Sequence, residues 1–247
     1  MSYAKAFAGK TYWIIGASAG IGRALAEALD DAGAHLILSA RDEAALEDLA
    51  KGCQSARVLP VDLGERASLE RAVEALAGTP LDGVINTAAL YDPSRVMDLD
   101  PQRLDALIRV NLLGCFAIAQ LTPSLLKPGG QLVLFGSVAG YFGLPKGQGY
   151  CASKAAVNNL AETLKVELAP QVDVRLVCPG FVKTRLTDKN SFTMPALISP
   201  EEAARRTLKG LTGKAFEIHY PKRFTLFMKL FRILPYGLSL KLAAKLR

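Results

Sequence analysis

Along the chain, short runs of β-branched and other apolar residues alternate with longer stretches in which apolar positions return every three or four residues. The runs at 11–16, 35–40, 56–61, 82–88, 131–136, 172–178 and 215–220 predict seven strands. They are apolar almost throughout rather than at every second position, so both faces of the sheet must be covered. The intervening stretches predict helices. In the first, Ile21, Leu25 and Leu29 share one face, and Gly33 supplies a left-handed C-cap; the stretch 43–51 is read as ending the same way at Gly52. This alternation predicts an α/β protein with a doubly wound, parallel, seven-stranded sheet. No repeat or Pro/Gly-rich linker divides it, so the expectation is a single domain over 1–221 with a helical tail over 222–247. Ligands of such sheets bind beyond the carboxyl ends of the strands, where the search for chemistry begins.

Charge changes the picture only at the end of the chain. The net charge is +7, but residues 218–247 hold seven basic side chains and no acidic one, and the remainder balances at 23 of each sign. The tail charges sit among aliphatic and Phe residues, not among the polar and aromatic ones that read nucleic acid, so a nucleic-acid partner is excluded. The four cysteines are scattered and predict reduced core residues. With His35 and His219 far apart, no metal site is expected. Residues 1–10 show no secretory pattern and no apolar run near 20 residues is evident, which predicts a cytoplasmic protein.

The first strand runs into Gly16-Ala17-Ser18-Ala19-Gly20-Ile21-Gly22 and then a helix. Glycines there let backbone N–H groups approach a pyrophosphate at the positive end of that helix. The second strand ends in Ser39-Ala40-Arg41. Without an acid at this tip, and with a guanidinium able to grip a 2′-phosphate, NADP(H) is favoured and NAD kept as the second candidate. Asp62 and Leu63 after the third strand are placed near an adenine ring, and Asn86 and Ala88 after the fourth beneath the cofactor.

Tyr150-Cys151-Ala152-Ser153-Lys154 opens a helical pattern shortly after Gly136-Ser137 at the end of the fifth strand. Residues four apart share a helix face, so the phenol and the ammonium point into one cleft. The cation is expected to lower the phenol pKa and make Tyr150 a general acid/base, with Ser137 holding the substrate oxygen.

Together with Asn111 in Val110-Asn111-Leu112-Leu113-Gly114 and the segment Pro179-Gly180-Phe181-Val182-Lys183-Thr184, these motifs occur in the order of the short-chain dehydrogenase/reductase family, which the chain resembles over about 11–220. The resemblance implies a Rossmann-like fold and hydride transfer between a nicotinamide and a carbonyl or alcohol carbon. It also implies that Asn111 supports a proton relay from Lys154, that Lys154 grips the nicotinamide ribose, and that Pro179, Gly180, Val182 and Thr184 hold the carboxamide. A homodimer or homotetramer is expected. Departures are Ile15 where the family often has Thr, and Thr87 and Ala89 in its Asn-Asn-Ala-Gly. A redox-silent dinucleotide-binding regulator is the alternative, and a complete proton-transfer set argues against it.

Loops after the fourth to sixth strands carry Leu90, Tyr91, Tyr141, Phe142, Leu144, Phe181, Phe192 and Met194, so a hydrophobic small-molecule carbonyl or alcohol is expected. In the tail, 224–234 reads as an apolar helix with one narrow polar stripe of Thr225, Lys229 and Arg232, interrupted by Pro235. Such a helix must bury its apolar side against the cleft, a subunit or, as the bolder reading, an anionic membrane surface.

Overall fold

The computed structural model describes residues 4–190 and 192–244. Seven parallel strands form one sheet: β1 (Thr11–Ile15), β2 (His35–Ser39), β3 (Ala56–Val58), β4 (Leu81–Asn86), β5 (Leu126–Phe135), β6 (Val172–Pro179) and β7 (Glu217–Tyr220). Their spatial order is β3-β2-β1-β4-β5-β6-β7, so the winding reverses between β1 and β4. The crevice at that reversal is where sheets of this kind take ligands.

Alternation along β1 explains the layers. Tyr12 and Ile14 face a core shared with α1 (Gly20–Asp30), α2 (Glu43–Lys51) and α7 (Pro200–Leu211), through Leu25, Leu29, Leu46 and Leu208. Trp13 and Ile15 face the opposite core, which takes in Leu69 of α3 (Arg66–Ala75), Ile118 of α5 (Gly114–Leu121), and Val157 and Leu160 of α6 (Gln148–Glu167). A strand buried on both sides has no room for the polar half of an alternating pattern.

Several expected boundaries move. β3 stops at Val58 and β4 at Asn86, while β5 begins at Leu126, well before the expected start. Gly33 is left-handed, with φ +78°, as expected. Gly52 is not: its φ of −85° is right-handed, so α2 ends without a left-handed cap. Cys115, Cys151 and Cys178 are buried and Cys53 is only half-buried; all four are free thiols. The passage Pro101–Leu121 forms α4 (Pro101–Ile108), a π-helical turn (Arg109–Leu113) and α5. Contrary to expectation it is, by length and composition, long and apolar enough to cross a bilayer, with hydropathy 1.5. Here it flanks the sheet, with Leu107, Val110, Cys115 and Ile118 buried.

The tail forms α8 (Lys222–Ile233) and α9 (Tyr236–Ala243), and it reverses the expected orientation. Thr225 is fully buried: its Oγ1 lies 2.6 Å from His219 Nδ1 and donates to the carbonyls of Pro221 and Lys222. Lys229 pairs with Glu217 of β7. Two members of the polar stripe thus face inward, because β7 supplies partners for them, and only Arg232 stays exposed. The apolar side that had to be covered faces outward instead.

Candidate active site

A cavity of about 370 Å³ opens at the carboxyl ends of β1 to β4, lined by residues that follow each strand: Gly16, Ser18 and Ala19; Ala40, Arg41 and Asp42; Val61, Asp62 and Leu63; and Thr87, Ala88, Ala89 and Leu90. A second cavity of about 390 Å³ lies at the opposite end of the strands, around the Asp82–Lys127 ion pair, and holds no reacting group.

The glycine turn is built for close backbone approach. A Cβ on Gly16, whose φ is +92°, would sit 2.5 Å from Ala88 N; one on Gly22 would sit 2.1 Å from Gly16 O. Thr87, a departure from the family pattern, donates through Oγ1 to the carbonyls of Ile15 and Gly16 and clips β4 to the turn. Elsewhere side chains cap helices: Asp42 accepts from Ala45 N and Ser199 from Glu202 N. At α1 the N-cap is Ala19, with no side-chain cap and no acid in the first turn. Its uncapped N–H groups and positive dipole end therefore face the cavity side of the turn, as an anion requires.

Of the expected cofactor residues, Gly16, Ser18, Ala19, Arg41, Asp62, Leu63 and Ala88 line the cavity. Gly20, Ile21, Gly22 and Asn86 belong to the surrounding frame: Asn86 is buried, donating to Cys115 Sγ and accepting from Ala88 N. Thr184 meets the turn, its Cγ2 lying 3.0 Å from where a Gly20 Cβ would be. Pro179, Gly180 and Val182 are not among the residues that line the cavity. Val182 is buried and bridged to Ile198, and Gly180 N donates to Tyr220 O, with Phe224 of α8 against its Cα. Arg185 also lines the cavity, giving it a second guanidinium, as do Val110 and Leu186. A basic residue next to Thr184 was the available signal for Arg185, but only the chain path shows that it shares the cavity with Arg41.

Beside the cavity, the loop after β4 leads from Leu90 to Tyr91, whose ring packs edge-on against Tyr150 at 5.0 Å between centroids. Tyr150 lies in the first turn of α6, and Lys154 one turn on, with Nζ 5.7 Å from the Tyr150 ring centre. Ser137 opens the loop after β5, accepts from Ala139 N, and interacts with the Tyr150 phenol. Behind it, Asn158 occupies the space that side chains on Gly136 and Gly140 would need, so the Ser137 loop lies directly on α6.

The surroundings of Tyr150 and Asn111 bear on two expected roles. Burial pushes the Tyr150 phenol above its ordinary value; the Ser137 hydrogen bond opposes this but does not overcome it. The Lys154 ammonium nearby is itself buried, destabilised by that burial, and donates to the Phe135 carbonyl at 2.7 Å. The side chain of Asn111 engages the loop after β4 and the Tyr150 turn. It sits in the π turn, accepts from Leu90 N at 2.7 Å, and donates to Leu90 O and to Ser153 Oγ, which in turn donates to Tyr150 O. Asn111 therefore braces the loop after β4 against the turn that carries Tyr150. A π turn, which often marks a functional position, gives it the reach.

Among the expected substrate residues, Tyr141 is buried and donates to Glu217, and Phe142 packs on Phe231 of α8, so both serve packing. Phe181 meets Phe192 and Phe224. Asn190 donates to Met194 Sδ and accepts from Tyr91 Oη, tying the loop after β6 to the loop after β4.

A glycine cradle at the switch point of a parallel sheet, with a tyrosine and a lysine beside it, is the arrangement of a dinucleotide fold. The comparisons give the family. Residues 10–194 match the model of the short chain dehydrogenase family. An uncharacterized oxidoreductase of Myxococcus xanthus is 33% identical over 249 residues, spanning 96% of this chain and 98% of that protein. Human dehydrogenase/reductase SDR family member 7 is 32% identical over 192 residues, 72% of this chain and 57% of that protein. Among solved structures, a short chain dehydrogenase from Burkholderia cenocepacia in complex with NADP has a TM-score of 0.81 at 26% identity, over 97% of this chain and 98% of that one. One from Burkholderia phymatum in complex with NAD shares the fold, with a TM-score of 0.82 at 23% identity, over 91% and 93%. The chain belongs to the short chain dehydrogenase family and is an oxidoreductase.

Proposed function

We propose that this oxidoreductase uses NADP(H) and interconverts a carbonyl and an alcohol on an apolar small molecule. The observation that carries the reading is the convergence of Ser137, Tyr150 and Lys154 on the carboxyl edge of the sheet beside the glycine cradle. The cradle fits a dinucleotide: its backbone is open where any side chain would block it, and the α1 terminus is uncapped. Bound there, the nicotinamide supplies or accepts the hydride.

The chain's own groups do the rest. Ser137 Oγ holds the substrate oxygen, and Tyr150 Oη gives that oxygen a proton in reduction or takes one in oxidation. Burial holds the phenol above its ordinary value, so at neutral pH Tyr150 carries the proton that reduction would deliver. Lys154, one helical turn away and held by the Phe135 carbonyl, adds positive charge near the phenol when a phenolate must form. Asn111 keeps the Tyr150 turn in place for that transfer. Arg41 and Arg185 hold the 2′-phosphate and pyrophosphate, with the carboxylate of Asp42, the cap of α2, offsetting part of their field. The rim residues Leu90, Phe181 and Phe192 select apolar substrates. Self-association follows from Leu113 and Phe116, exposed three apart at the start of α5.

Absorbance assays on the full chain, with apolar aldehydes, ketones and secondary alcohols and with both NADPH and NADH, test the reading. Tyr150→Phe should lower kcat by about 10²–10⁴ without weakening dinucleotide binding; a fully active variant overturns the mechanism. Arg41→Ala should weaken NADPH about tenfold and leave NADH unchanged. Equal losses overturn the NADP assignment.

A further inference from the structure

The inward turn of Thr225 and Lys229 leaves an apolar surface uncovered. On α8, Leu226, Phe227, Leu230 and Ile233 point outward with exposures of 45–78%. Their spacing of i, i+1, i+4 and i+7 makes them one continuous stripe. On α9, Tyr236, Leu238 and Leu240 are exposed as well. Seven large apolar side chains on two consecutive helices form a patch of the kind that monomers rarely leave to water.

Charge identifies what covers it. Lys222, Arg223, Arg232 and Lys241 are exposed along the same two helices and make no ion pair among the described residues. Among the described tail cations, the one that is paired, Lys229, is the one turned inward. No acidic residue occurs from 218 to 247. A second copy seated face to face would set two uncompensated cationic tails against each other. An anionic bilayer surface offers the opposite: acyl chains for the apolar stripe and negative headgroups for its cationic margins.

We propose that the outer face of α8 and α9 docks on anionic lipid bilayers, lying in the interface rather than crossing it. The same helix reaches the substrate loops from its inner side. Phe231 packs on Phe142 of the Ser137 loop, and Phe224 on Phe181 of the loop after β6. Phe227 joins Phe231 to the outer face at 5.2 Å between ring centres. A docked enzyme therefore presents its apolar rim to membrane-dissolved carbonyls and alcohols. Only this last step rests on the proposed reaction; docking itself does not.

Co-sedimentation of the full chain with vesicles, without cofactor or substrate, separates the two. The protein should pellet with phosphatidylglycerol-containing vesicles and stay in solution with pure phosphatidylcholine. Phe227→Glu with Leu230→Glu, both at exposed positions, should abolish pelleting while the circular dichroism spectrum and turnover of a water-soluble substrate stay unchanged. Replacing Lys222, Arg223, Arg232 and Lys241 by Gln should weaken binding about fivefold for each cation removed. Wild type left in the supernatant with anionic vesicles overturns the proposal, as does equal pelleting of the Glu variant. Loss of a dimer or tetramer on light scattering, caused by the Glu variant without any vesicle binding by the wild type, would instead make the face a contact between copies and overturn it too.

Discussion

The molecule contains two tyrosine–lysine pairs, and they differ in one group. In the first, the Lys154 ammonium stands 5.7 Å from the Tyr150 ring; in the second, the Lys229 ammonium stands 5.4 Å from the Tyr141 ring. The second has a carboxylate. Glu217 accepts from Tyr141 Oη and Lys229 Nζ together, so its charge and that of Lys229 are consumed in joining β7, the Ser137 loop and α8. The first has none. Lys154 is 3% exposed and held only by a neutral carbonyl, which leaves a full positive charge uncompensated beside the phenol. A buried cation without a counter-ion is costly, whereas a neutralised one is a fastener. The difference separates a group kept for chemistry from one kept for architecture.

Exchanging the two lysines for methionine is the harshest way to break this comparison. Lys154→Met should cut turnover by about 10² or more, because phenolate formation and proton movement lose their cation. Its Tm should hold or rise, since an uncompensated buried charge has gone. Lys229→Met should do the reverse, leaving Glu217 without its cation and lowering stability by about 1–3 kcal/mol while turnover changes little. Thermal melts beside initial rates decide it, and a Tm loss larger in Lys154→Met than in Lys229→Met would erase the distinction.

Glu217→Gln sharpens the comparison through pH. Burial alone would raise the Glu217 pKa, but hydrogen bonds from Lys229 and Tyr141 outweigh it and hold the carboxyl below its ordinary range. A carboxylate depressed in the folded state contributes stability above its unfolded pKa of about 4.3 and loses it as pH falls through the lower folded value. Wild type should therefore exceed Glu217→Gln by about 1.5–3 kcal/mol at neutral pH. The gap should close below about pH 4. A gap independent of pH would mean that shape rather than charge holds α8 in place.

The first pair was legible in the sequence and the second was not. Four-residue spacing on a helix brings Tyr150 and Lys154 together whatever else the chain does, and the glycine turn is a local backbone feature flanked by its own strand and helix. The seven strands were readable because burial on both faces makes them apolar throughout. Tyr141, Glu217 and Lys229 lie on three separate elements and meet only after β7 docks beside β6. The orientation of α8 was misread for that reason: Thr225 and Lys229 count as a solvent stripe until His219 and Glu217 are known to stand opposite. Arg185 was missed likewise, since only the chain path from β6 brings it to Arg41. Gly52 shows a different limit, because a helix can end at a glycine that keeps right-handed geometry.

Tyr141→Phe probes the comparison most gently. The variant keeps the ring under the Lys229 ammonium and the aromatic packing of the Ser137 loop, and it removes only the hydroxyl that Glu217 accepts from. Burial and this carboxylate both hold the Tyr141 phenol above its ordinary value, so it is a permanent donor that titrates nowhere near neutrality. Glu217 retains its bond from Lys229, so the stability cost should be about 1–1.5 kcal/mol, read from denaturant midpoints. Turnover should stay close to wild type and keep the same pH dependence, because this tyrosine moves no proton. Were the pH profile of turnover to shift in Tyr141→Phe, the two tyrosines would share one titration, and the separation between a chemical pair and a structural one would fail.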